Sequence, residues 1–382
     1  MLLKNDTALG IYVHIPFCIR KCNYCDFPSY SNMDNIFSQY TNALCKEIEF
    51  VSEKYKNGLV DTIFFGGGTP SVLSAKDISK ICNTIQKKFR ISNNAEISIE
   101  VNPGTITKEK LETYRALNIN RISIGVQSAN DRILNFMGRI HTRQMIEQSL
   151  ELIKECGFKN INADIIFGVP NQTMVDLQDT IEFVLNKEVT HISCYSLKVE
   201  ENTPWYELQK RGELPQVDDG LEREMYYWIV SRLKNSSFEH YEISNFAKPG
   251  FKCIHNIKYW TDKPYLGFGS AAHSYINNTR YSNVENPVEY ISAVNANKSP
   301  IQGTDIIDDV ERLSEIFILG LRLIEGVNLE ALEHVFGRKS LKKYDEKIEM
   351  LVNKDFLCIE NGNLKLTKLG LDFANLVWVE FI

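Results

Sequence analysis

The run Gly10-Ile-Tyr12-Val-His14-Ile-Pro-Phe-Cys18-Ile-Arg-Lys-Cys22-Asn-Tyr24-Cys25-Asp-Phe27 decides how the rest of this 382-residue chain is read. Its first half is a short apolar, β-branched stretch of the kind that forms a buried strand. Its second half sets three cysteines in one loop. Spacings of three and two residues between them let that loop wrap three soft thiolates around a single inorganic centre. A structural zinc site or a ferredoxin-type cluster takes four ligands, and no fourth cysteine stands nearby. Three thiolates on a four-iron cube leave one iron open to a substrate or cofactor. Zinc with a distant fourth ligand is the competing reading.

Outward from this run, short apolar segments alternate with amphipathic ones as far as about residue 200. The strand candidates are Gly10–Ile15, Val60–Phe65, Glu96–Val101, Arg121–Val126, Asn162–Phe167 and His191–Leu197; connecting stretches such as Phe37–Tyr55 and Met145–Cys156 carry apolar residues at helical spacing. Six such units in one direction predict an α/β fold, a partial (β/α)6 barrel over residues 1–200 with its ligands at the C-terminal strand ends. Residues 201–304 form a less regular, aromatic-rich extension. Residues 305–382 read as short helices followed by Phe356–Glu360, a turn at Asn361-Gly362 and Leu364–Leu366, a small winged-helix-like α+β domain. Its acidic residues Asp308, Asp309, Glu311, Glu346 and Glu349 point to packing or a lid rather than to DNA.

The composition is that of an ordinary globular chain, 43% hydrophobic and 24% charged. A formal charge of −6 argues against bulk nucleic acid or an anionic membrane as the main partner. Met1 to Gly10 carries one lysine and no apolar run, and Arg322 interrupts the best apolar stretch, Ile316 to Ile324, so the expected location is the cytoplasm. Nine cysteines is an odd number for a disulfide framework. Cys45, Cys82, Cys156, Cys194 and Cys358 lie in apolar or amphipathic stretches and read as buried structural thiols.

The C-x3-C-x2-C motif after a first strand, with Tyr24 before the last cysteine, resembles the radical S-adenosylmethionine (SAM) superfamily. The resemblance implies a [4Fe–4S] cluster on Cys18, Cys22 and Cys25, with the amino and carboxylate groups of SAM on the open iron and an electron passed to the sulfonium. Gly66-Gly67-Gly68-Thr69-Pro70 follows the second strand, where missing side chains let backbone approach a ligand. Ser98-Ile-Glu100-Val-Asn102-Pro103 ends the third with a carboxylate suited to the ribose or amine of SAM. Ser123-Ile-Gly-Val-Gln127-Ser128, Met137-Gly138-Arg139 and Asn162-Ala-Asp164-Ile-Ile-Phe-Gly168-Val-Pro170 follow.

Together these strings resemble the oxygen-independent coproporphyrinogen III oxidase branch over nearly the whole chain. That resemblance implies SAM contacts by Tyr12, Tyr24, Gly67, Gly68, Thr69, Glu100, Gln127, Arg139 and Asp164, joined by Lys198 and by His273 in Gly267-Phe-Gly269-Ser-Ala-Ala-His273. Two departures set this chain apart from the oxidases. Phe27 stands where they carry a further cysteine, and only eleven residues precede Tyr12 where they have an extension over the substrate pocket. A third string, His255-Asn256-Ile-Lys-Tyr259-Trp260, is similar to one in the heme chaperones of the branch, and implies heme contact through His255, Asn256, Tyr259 and Trp260. Cys253 is an alternative thiolate ligand. The expectation is a radical SAM heme chaperone that cleaves SAM, takes heme or a porphyrin, passes it to heme-accepting proteins and draws on an electron donor protein; peripheral contact with membrane-bound acceptors is compatible with it. The alternative is radical decarboxylation of coproporphyrinogen III.

Overall fold

The computed structural model describes residues 8–55 and 57–382. Six parallel strands lie side by side in chain order: β1 (Leu9–Ile15), β2 (Leu59–Gly67), β3 (Arg90–Val101), β4 (Arg121–Gln127), β5 (Asn160–Phe167) and β6 (His191–Ser196). Helices join them, including Phe37–Tyr55, Ala75–Lys88, Lys108–Ala116, Arg143–Glu155 and Met174–Asn186. Ser74, Thr107, Thr142 and Thr173 cap the last four of these, each accepting a backbone N–H from the first helical turn. Each cap is worth about 1 kcal/mol.

The two-residue period of a strand sorts its side chains onto two faces. Ile11, Val13, Ile63, Phe65, Ile97, Ile99, Ile122, Ile124, Ala163 and Ile165 are buried in the main core, beneath the helices. The alternate positions, including Tyr12, His14, Thr62, Glu96, Glu100, Arg121, Ser123, Asn162, Asp164 and His191, face the barrel's lumen. The lumen is polar along its length.

The middle of the chain, which the sequence reads as a less regular, aromatic-rich extension, supplies strands of its own. It is threaded into the same sheet at both edges. β7 (Glu239–Glu242) and β8 (Asn245–Ala247) continue beyond β6. β9 (Tyr265–Phe268) pairs parallel to β1, followed outward by β10 (His273–Ile276), β11 (Thr279–Asn283) and β12 (Ile301–Ile306). The result is one twelve-stranded sheet. The physical reason is that β1 and β6 would otherwise present unpaired backbone groups along the edges of the six-stranded unit. Between β8 and β9 the helix Ile254–Trp260 enters the lumen from the N-terminal ends of the strands.

The C-terminal segment is as expected a small helical unit with a hairpin. β13 (Val327–Asn328), β14 (Leu357–Glu360) and β15 (Asn363–Leu366) form a second sheet in the order β13-β15-β14. Asn361 and Gly362 are both left-handed (φ 51° and 78°), the geometry that a two-residue hairpin turn requires. Phe317, Tyr344 and Phe381 stack at the centre of its own core. Among the described residues no helix is long and apolar enough to cross a membrane.

Candidate functional site

At the end of β1 the chain turns back on itself, with Tyr30 N–H donating to Pro16 O (2.7 Å) and Cys18 N–H to Tyr30 O (2.9 Å). The glycine stretch is laced to the same turn, as Gly68 N–H donates to Ile15 O and Thr69 N–H to Phe17 O. A side chain at position 68 would put its Cβ 2.7 Å from the Phe17 carbonyl and 3.0 Å from Cys18 Sγ. At Gly67, where φ is +112°, a Cβ would strike the His14 ring at 2.5 Å. His14 locks the loop's far end: its Nε2–H donates to Pro28 O and its Nδ1 accepts from Tyr12 OH, both at 2.9 Å. A carbonyl can only accept, so the tautomer is fixed. Burial holds this imidazole neutral, its pKa pushed down to about 4.

Cys18, Cys22 and Cys25 are half-buried free thiols on the wall of a cavity of about 460 Å³. Burial pushes the Cys18 thiol up, and the Thr69 and Ser29 hydroxyls pull it back; Cys25 is likewise raised by burial. Three soft donors on one loop, with no fourth cysteine in the wall, fit a cluster that keeps one open iron. The close approach of Gly68 excludes a side chain at that position, and the neighbour of Cys18 Sγ is the Thr69 hydroxyl at 3.5 Å.

Tyr24, Gly67, Gly68, Thr69, Glu100, Gln127, Arg139, Asp164 and Lys198 line this same cavity. Glu100 Oε2 accepts from Gly67 N–H at 3.2 Å. Burial, and then the neighbouring Asp164 carboxylate, push Glu100 up to about 8. Asp164 accepts from Ser123 Oγ (2.9 Å) and Asn162 Nδ2 (2.8 Å). Side by side, the Glu100 and Asp164 carboxyl groups make a receptor for a cation. Opposite them Arg139 donates to Tyr24 OH at 2.6 Å and to Asn102 Oδ1 at 3.2 Å, a buried cation available to an anionic group. Gln127, with φ 64°, holds a left-handed conformation beside a register shift in the β4–β5 pairing, which re-aims the strand end. Lys198 stands at the rim, paired with Glu200 at 2.8 Å.

Tyr12 and His273 do not line the cavity. Tyr12 lies one layer below, converging with Glu100 on the space left by Gly66, where a Cβ would be 3.1 Å from each. His273 is exposed at the start of β10, two strands from β1.

The heme-contact string departs further from expectation. His255 is only 1% exposed and lies in the lumen floor. Its Nδ1 is hydrogen-bonded to Thr62 Oγ1 and its Nε2 to Tyr259 OH, both at 2.9 Å, and its ring stacks on Phe64. Burial pushes it down to about 3. Neither ring nitrogen is free to meet an iron in this conformation. Glu96 fixes the start of the helix by accepting from the Ile254 and His255 N–H groups at 3.0 Å, and Cys253 Sγ donates to the same carboxylate. Burial raises the Cys253 thiol to about 12, which disfavours the alternative thiolate ligand. Asn256 is half-buried on the same helix, and Trp260 faces the C-terminal unit with the Arg322 guanidinium 4.5 Å from its ring.

Asn102 and Tyr195 line the cavity without having been singled out as site residues. The signal for both was the two-residue period, because Asn102 follows Glu100 on the same strand face and Tyr195 follows Ser193.

A comparison with family profiles matches residues 12–184 to the Radical SAM superfamily and residues 307–373 to the HemN C-terminal domain. The heme chaperone HemW of Bacillus subtilis is 35% identical over 97% of this chain and 98% of its own length. The heme chaperone HemW of Lactococcus lactis is 34% identical over 100% of this chain and 98% of its own. Among solved structures, the coproporphyrinogen III oxidase HemN of Escherichia coli superposes with a TM-score of 0.87 at 22% identity, covering 99% of this chain and 90% of that one, a likeness of fold.

Proposed function

The chain belongs to the radical SAM family of the heme chaperone HemW, and from that premise we propose that it binds heme at the mouth of the cavity and passes it to acceptor proteins. Within the cavity, Cys18, Cys22 and Cys25 hold a [4Fe–4S] cluster, which when bound supplies an electron to SAM from a donor protein. Glu100 and Asp164 attract the cationic end of SAM, and the Gly67 N–H keeps the Glu100 carboxylate turned toward it. Arg139, oriented by Tyr24 and Asn102, takes the SAM carboxylate.

The observation that carries the heme reading is the composition of the mouth. Phe27 is 62% and Tyr195 39% exposed there, beside Arg20, Lys21 and Lys198. Exposed aromatic faces suit a flat, apolar molecule, and Arg20 and Lys21 offer cations to its carboxylates, while Asp26 and the Glu200 that pairs with Lys198 share the rim. Phe27 also occupies the place of the additional oxidase cysteine. For His255 to touch the iron, its helix must leave the lumen. The test is anaerobic reconstitution, followed on one preparation by heme titration, transfer to an apo-acceptor, and incubation with coproporphyrinogen III. Heme uptake and release without decarboxylation is the expected outcome. Turnover of the porphyrinogen, or no heme band, would overturn the reading.

A further inference from the structure

We propose that Arg139, Asn102 and Thr69 form a one-way hydrogen-bond relay that places a hydroxyl proton on the sulfur of Cys18 and thereby raises the reduction potential of the cluster. This rests on the assignment of a cluster to the three cysteines. Every direction along the relay follows from what each group can do.

A guanidinium has donors only and keeps its proton under all ordinary conditions. Arg139 Nη1 lies 3.2 Å from one terminal atom of the Asn102 amide, which must therefore be the oxygen. That fixes the other terminal atom as the nitrogen, 2.8 Å from Thr69 Oγ1, and it donates. The Thr69 oxygen thus accepts from the amide and has its own proton to give. Cys18 Sγ is 3.5 Å away, and a metal-bound thiolate can only accept. Turning the amide over would set its nitrogen against the guanidinium, donor against donor, and turning the hydroxyl away from the sulfur would leave two acceptors face to face.

The surroundings keep this path clear and immobile. Thr69 is buried, and its backbone N–H donates 2.8 Å to Phe17 O, which holds the residue against the cysteine loop. Gly125 is required as well as Gly68: a Cβ at 125 would lie 2.5 Å from Asn102 Oδ1. Two glycines from different strands therefore stand where a side chain would break the chain of contacts. Tyr24 holds the head of the relay by accepting from Arg139 Nη2 and Nε.

A donor on a ligating sulfur withdraws electron density and favours the reduced, more negative cluster, and a cation at the head of the chain strengthens that donor. Thr69, Asn102 and Arg139 are positioning residues in this sense, acting through Cys18. The relay also makes one sulfur unlike the other two, because it reaches Cys18 alone.

The test is a potentiometric titration of the reconstituted cluster without SAM, read by the paramagnetic signal of the reduced state, with iron and sulfide assayed on each sample. Thr69→Val removes the hydroxyl at nearly constant shape. It is expected to lower the reduced-to-oxidised ratio about tenfold at a fixed poise, equal to about 59 mV for one electron. Thr69→Ser keeps the hydroxyl and should titrate with the wild type. Asn102→Asp still accepts from Arg139 but turns an acceptor toward Thr69, drawing its proton off the sulfur, so it should shift in the same direction as Thr69→Val while leaving the residue next to the cluster untouched. A wild-type potential in Asn102→Asp, or in a cluster-loaded Thr69→Val, would overturn the relay. A wild-type protein that takes up no iron and sulfide would overturn the cluster assignment itself, and the relay with it.

Discussion

The two ends of the barrel lumen are built from the same six strands and from equally polar residues, yet they differ in what those residues still lack. At the floor the inserted helix is held by side chains of the barrel, although Arg121 Nε and Ser98 Oγ are buried without a hydrogen-bond partner among the described residues. His255 bridges Thr62 and Tyr259, His191 bridges Asn162 and Tyr241, and Glu96 caps the inserted helix. At the mouth the thiols are free, one carboxylate is held protonated beside another, and cations and aromatic rings stand exposed. Polarity and burial alone do not separate a site from a scaffold. The separation comes from the kind of group left open, free thiols and paired carboxylates at the mouth against hydrogen-bonded imidazoles and a capped helix at the floor.

The comparison breaks most severely at the thiols. Cys22→Ala leaves two ligands on one loop, and the expected outcome is loss of the cluster, measured as iron, sulfide and the signal of the reduced state. A full complement of iron in that variant would remove the mouth from consideration as a cluster site. The next effect is at Glu100, whose folded-state pKa of about 8 lies above the ordinary 4.5. Between those values the folded protein retains a proton that the unfolded chain releases, so the stability of the SAM-free protein falls as pH rises from 4.5 toward 8. SAM affinity should rise over the upper part of that window, because the ionised carboxylate attracts the cation. Glu100→Gln should flatten both trends and weaken SAM by about 1.5–3 kcal/mol, the scale of a hydrogen bond to a charged group. Thermal unfolding and SAM titrations on either side of pH 8 read the two together. The smallest effect is expected at the floor. His255→Gln keeps one of the two hydrogen bonds and should cost about 1 kcal/mol of stability, with iron, sulfide, SAM binding and the heme band retained. Loss of the heme band in a stably folded His255→Gln protein would show that the helix leaves the floor to bind.

Much of this was legible because it is local. Short apolar, β-branched runs predicted all six strands of the barrel, five of them within two residues of their observed limits, whereas β3 starts at Arg90, six residues before the expected Glu96; cysteine spacing predicted which thiols share a loop. Glu100, Gln127 and Asp164 stand at or near strand ends, whereas Arg139, twelve residues past β4, was grouped with them through the family resemblance. What the sequence hid was docking over distance. The His255 string has the residues of a ligand set, but its meaning depends on Glu96, which meets it across 158 positions of chain. β9, four residues long and containing a glycine, has too little pattern to announce that it pairs with β1. Tyr12 was placed on the right strand and face but one layer too high, since register along a strand does not say where a cavity ends.

The pairing of β1 with β9 also has a consequence in time. The strand that leads into the cysteine loop is made roughly 250 residues before the strand that closes its other edge. At ordinary rates of translation that interval is on the order of 10–50 s. For that period β1 has a partner on one side only, and the loop of thiols hangs from an unfinished barrel. Once Tyr265 to Phe268 are in place, the same loop is anchored from both sides. Metal loading during synthesis therefore meets an open cradle, and loading afterwards a closed one.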